Sequence, residues 1–182
     1  AEAGSAQNGF LAINLNQGGS LDNFQPGLDF FKALKNVVNL NTIDVTDATI
    51  DSGQTGVVFD WSYNQAAIKE RLSKQQNVDW EVLTLPNGEV EQYYSQAVNK
   101  DAPHPAAARL WEEYLYSPDA QNEWMRGGAI PSLLEKMKKD GTVDKDALAK
   151  LPEIKKPVTY TSKQADAMTT WLGKNWPKTI GN

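Results

Sequence analysis

Between Tyr93 and Pro131 the chain alternates hard stops with apolar helix faces, and this punctuation restricts the fold more than any other stretch. Val90–Val98 is rich in aromatic and β-branched residues and reads as a strand. Asp101-Ala-Pro-His-Pro breaks it, and Pro105 suits the first position of the helix that follows, where its missing N–H costs nothing. Leu110, Trp111, Tyr114 and Leu115 then fall on one helical face. Ser117 is placed to cap a second helix, with Pro118 at its first position. Gly127-Gly128 ends that helix and Pro131 prevents its return.

The rest of the chain gives a matching pattern. Ser5–Asn16 reads as a helix with Ser5 as its cap and Gly18-Gly19 as its stop. Gly27–Val38 is a second helix, and Thr46–Ser52 is a short one capped by Thr46 and closed by Gly53. Gly56–Asp60 reads as a compact buried strand, Ser62–Gln75 as a helix and Val78–Leu85 as an alternating strand before a Pro86-Asn87-Gly88 turn. Leu133–Lys139, Lys145–Lys150 and Ser162–Asn175 read as helices. Strands alternating with helices indicate an α/β class with a mixed sheet. The turn at Pro86–Glu91 is the best candidate for a domain boundary.

Composition excludes several functions. The 182 residues carry a net charge of -5 and a pI of about 4.9, which argues against nucleic acid as a partner. The absence of cysteine removes disulfides, thiolate metal sites and a cysteine nucleophile, and it fits an oxidising compartment. No apolar run reaches the roughly 18–20 residues that a bilayer span requires. No G-x-S-x-G, P-loop, H-E-x-x-H or dinucleotide fingerprint occurs, so no catalytic residue is assigned and an enzyme is not expected.

The order strand, HP-AA-LW-x-x-YL-x-SP-x-x-Q, GGA-x-P resembles the C-terminal half of the extracellular solute-binding proteins that feed ABC importers, above all the spermidine/putrescine, ferric-iron and aminoethylphosphonate type. That resemblance implies a periplasmic binding protein-like α/β fold of two lobes, with mixed sheets flanked by helices. Residues 1–88 would belong to the second, ligand-binding lobe and 89–182 to the largely helical C-terminal portion of the first. It further implies a periplasmic or membrane-tethered extracellular location. The implied partners are a small-molecule solute, an ABC permease and a missing N-terminal portion of the same protein, with no cofactor. The opening AEAGSAQNG, without Met, fits a fragment: a proteolytic piece, a split half or one half of an interrupted protein. The alternative is a natural small protein with a processed start.

Three places carry candidate ligand chemistry. Phe59-Asp60-Trp61-Ser62-Tyr63 lies where a strand gives way to a helix, the position at which α/β sheets hold ligands. Asp60 with Trp61 and Tyr63 offers a carboxylate and aromatic faces, which suit an amine. The competing reading is that Asp60 or Ser62 only caps the helix and Trp61 is core. Ser5 and Ala6, at a helix start, offer N–H groups to an anion, although a serine there more commonly caps. Of the Tyr93-Tyr94 pair only one side chain can face a cleft, and the resemblance to polyamine-binding relatives implies Tyr94. Iron-binding relatives carry adjacent tyrosines after the strand matching Val57–Phe59, where this chain reads Asp-Trp-Ser-Tyr. A ferric site is therefore not expected, His104 reads as a helix-start residue, and no metal site is assigned. The expected ligand is a polyamine, a GABA-like amino acid or an aminophosphonate. An engineered sensor or split half built from such a protein, and a hydrolase with an unrecognised site, are the alternatives.

Overall fold

A computed structural model describes residues 4–41, 43–74 and 78–181. Nine helices occupy them: α1 Gly4–Asn16, α2 Gln25–Asn36, α3 Asp47–Asp51, α4 Ser62–Leu72, α5 Pro105–Leu115, α6 Pro118–Arg126, α7 Leu134–Asp140, α8 Lys145–Leu148 and α9 Ser162–Thr179. By compactness the chain divides into two units. Unit 1 takes Ala1–Trp61, Ile68–Gln92 and Glu153–Asn182; unit 2 takes Ser62–Ala67 and Tyr93–Pro152.

The expected α/β fold with mixed sheets is not what forms. Among the described residues 52% are helical and none belongs to a sheet. The β pairing present there is one isolated parallel bridge, Val90 to Val158. Its hydrogen bonds run from Glu91 N to Val158 O (3.0 Å) and from Val158 N to Glu89 O (2.7 Å). Strand-like composition reports side chains suited to a half-buried surface, but a strand also requires a neighbour to complete its ladder. No neighbouring strand lies against the three predicted segments. Val57 and Leu83, which were to be buried in strands, are 76% and 82% exposed.

Helix punctuation acts as the residue types dictate. Thr46 and Thr49 form a reciprocal capping box on α3. Ser117 accepts the Ala120 N–H at the start of α6, and Pro118 follows it. Pro105 opens α5 behind His104, whose side chain makes no cap bond. Gly18 sits at φ +84 just past α1, and Gly19 N bonds Asn14 O (2.7 Å). The predicted α4 ends three residues early, at Leu72; Gln75 lies outside the described residues. By contrast, α9 runs on past Asn175 and through Pro177, because Trp176 and Ile180 are held by the core.

Unit 1 is built on an aromatic core. Phe10, Leu11, Ile13, Phe24, Leu28, Phe31, Met168, Leu172 and Ile180 are buried together. Trp171 and Trp176 of α9 reach Phe10 of α1 at 6.4 and 6.2 Å between ring centroids, so the two ends of the chain share one core. Asn14 is fully buried in it and uses its whole amide. Its Nδ2 donates to Ser20 O (3.0 Å) and Asn23 O (2.9 Å), and its Oδ1 accepts the Gly27 N–H (2.9 Å). The last bond caps α2 from another helix, since Phe24 at its N-cap offers no side-chain acceptor.

Unit 2 is held by polar hubs around a small core. Leu115, Ala120, Met125, Met137 and Ala147 are buried. Gln121 donates to Leu115 O (2.6 Å) and accepts from Leu133 N (3.3 Å). Asn122 donates to Thr142 O and accepts from Asp144 N. Asp144 caps α8 through the Asp146 and Ala147 N–H groups and receives Arg126 at 2.9 Å. Those backbone N–H groups first, and Arg126 second, hold its carboxyl below the usual aspartate value.

Candidate ligand site

The geometry around Asp60 begins with a glycine. A Cβ at Gly9 would lie 2.7 Å from Phe59 Cβ and 3.1 Å from Phe59 O, so α1 lies directly on the segment that leads into Asp60 and Trp61. Only glycine permits that approach. The first turns of α1 are fixed from other directions as well. Asn8, buried, donates to Gly4 O (2.8 Å) and accepts the Tyr160 hydroxyl (2.9 Å). Gln7 accepts the Thr169 hydroxyl of α9 (3.0 Å). Gly88, in the Pro86–Gly88 turn, approaches the same helix: a Cβ there would meet Ala12 O at 2.6 Å.

Each candidate residue has a definite place. Ser5 is half-buried and Ala6 exposed, both inside the first turns of α1. Ser5 is therefore within the helix rather than its N-cap. Asp60 and Trp61 are half-buried in unit 1. Trp61 itself is the N-cap of α4, in extended backbone and with no side-chain cap bond, so neither Asp60 nor Ser62 occupies the capping position. In unit 2, Tyr63 and Tyr94 meet: their hydroxyl groups hydrogen-bond to each other at 2.8 Å. Among the described residues no group of three His, Cys, Asp or Glu side chains comes together as a metal cluster.

The profile of the bacterial extracellular solute-binding protein family matches residues 1–158. The chain belongs to that family. Comparison with curated proteins found no match. Solute-binding proteins of this family act outside the cytoplasmic membrane, where they take up a small molecule and serve an ABC import permease. Binding rather than catalysis is the family's general work. No helix among the described residues is long and apolar enough to cross a membrane.

Sequence reasoning passed over the residues that hold this solute-binding chain's first helix. Asn8 and Asn14 lie in the stretch of α1 that also buries Phe10, Leu11 and Ile13. Polar side chains within an apolar run mark buried hydrogen bonds, because burial without a partner is costly. Tyr160 gave no such signal, since its partner Asn8 is 152 residues away.

Proposed function

We propose that this chain captures a small amine or zwitterion: a polyamine, a GABA-like amino acid or an aminophosphonate. Asp60 supplies the carboxylate for the ammonium group, and the Trp61 indole gives it an aromatic face. The N–H groups around Ser5 and Ala6, at the positive end of α1, take the anionic end of a zwitterion. Within unit 2, Tyr63 and Tyr94 are ligand contacts through their phenols. The observation that supports this reading is the close packing of α1 on Phe59 at Gly9, which gives the two unit 1 parts one rigid support.

The test is calorimetry with putrescine, GABA and aminoethylphosphonate on the wild type and on Asp60→Asn. The variant should lose at least about tenfold in affinity for the best ligand, roughly 1.4 kcal/mol, with an unchanged fold. Equal affinities would remove Asp60, and the amine reading with it.

A second observation supports a finer reading, that the chain is the C-terminal portion of a longer solute-binding protein. Leu110 and Trp111 of α5 are 69% and 60% exposed, so the apolar stripe of an amphipathic helix faces outward. A preceding portion of the same polypeptide is proposed to cover it. Isolation of the protein from its source at only 20.1 kDa would end that reading.

A further inference from the structure

Tyr63 stands on firm backbone. It is the second residue of α4. Gly128, in the left-handed region at φ +87, closes on that turn: a Cβ there would lie 3.0 Å from Ala66 Cβ and 3.4 Å from Tyr63 Cα. Gln65 in the same turn is buried. The Gly127-Gly128 stop of α6 therefore also seats the start of α4 within unit 2.

Tyr94 stands on nothing comparable. Residues 93–98 belong to no helix or ladder, and Tyr94 is 78% exposed. Among the described residues, 94–98 make no backbone-to-backbone hydrogen bond. A segment of that kind sits at the low end of local stability. Its polar tie is the 2.8 Å bond from the Tyr94 hydroxyl to Tyr63.

We infer that the Tyr63–Tyr94 hydroxyl pair is a clasp, with Tyr63 as the fixed post and Tyr94 as the positioning residue that pins segment 93–98 to unit 2. The inference goes beyond the ligand reading and does not depend on it. A clasp has a distinctive signature. Removing either hydroxyl opens it completely, so the two single variants must match and the double variant must add nothing. Ring packing alone would survive loss of a hydroxyl, because phenylalanine keeps the ring.

The test is 15N relaxation on the wild type, Tyr63→Phe, Tyr94→Phe and the double variant. Wild-type order parameters for 94–98 should lie near those of rigid backbone, about 0.85, and fall below about 0.6 in all three variants alike. Values for α6 and α8 should not move, which shows that unit 2 remains folded. Unchanged order in either single variant, or a double effect equal to the sum of the singles, would overturn the clasp. Putrescine titration of the same variants reads the ligand proposal separately. Weakened binding with unchanged order would refute the clasp and spare the ligand role, whereas loss of order with unchanged affinity would support the clasp and remove both tyrosines from the ligand site.

Discussion

Replacing Asn14 with alanine should be among the most damaging single changes in unit 1, and its cost follows from three bonds. The Gly27 N–H is buried and loses its acceptor. An orphaned buried donor costs about 2 kcal/mol. The Ser20 and Asn23 carbonyls belong to exposed residues and regain water, so each contributes only about 0.5–1 kcal/mol. The expected loss is about 3–4 kcal/mol, or roughly 6–12 °C in Tm for a chain of this size. Urea unfolding followed by circular dichroism measures it. Asn14→Asp should be comparably damaging at neutral pH: it keeps an acceptor for Gly27 but turns a second oxygen toward two carbonyl oxygens. Gly19 supplies a coupling test, because a Cβ there would collide with the Asn14 amide. Gly19→Ala should therefore cost clearly less in the Asn14→Ala background than alone. A loss below about 1 kcal/mol for Asn14→Ala, or strict additivity with Gly19→Ala, would refute the reasoning.

Two further outcomes are expected. Val38 sits in the left-handed region at φ +60 and is 90% exposed, so Val38→Gly should raise stability by about 1–2 kcal/mol in the same unfolding assay, and no gain would mean that the position carries no strain. Asp144 has a folded pKa below its unfolded value of 3.8, so its contribution is fully present above pH 3.8 and disappears as pH falls through the lower folded value; Asp144→Asn should flatten that acid-side loss of unit 2 stability, measured by chemical shifts of α8 during an acid titration.

Local punctuation was legible in the sequence because its causes are local. A threonine four residues before Ile50, a Ser-Pro pair, or a glycine after an apolar stripe acts on neighbouring backbone whatever the rest of the chain does. Sheet formation was not legible, because Val57, Leu83 and Tyr94 carry the right side chains for strands and nothing in them specifies a neighbouring strand. The same limit applies to the candidate site. Asp60, Trp61, Tyr63 and Tyr94 were each identifiable by type, but the bond that joins Tyr63 to Tyr94 spans 31 positions. Ser5 was misread as a cap because a serine near a helix start looks the same whether the helix begins before or after it. Asn14 was missed for another reason: an asparagine on a helix looks like a surface residue until its three distant partners are known.

The union of α1 and α9 in one aromatic core dictates an order of assembly. Phe10 leaves the ribosome early, but Trp171 and Trp176 are among the last residues made. Closing a loop of that length carries a high entropy cost before any contact repays it. Tyr93–Pro152, by contrast, joins α5, α6 and α8 through short connections. During synthesis those helices gather while α1 and α2 still expose Phe10, Phe24 and Phe31. The nascent N-terminal helices therefore depend on chaperones, or on export in an unfolded form, until the final turn of α9 emerges.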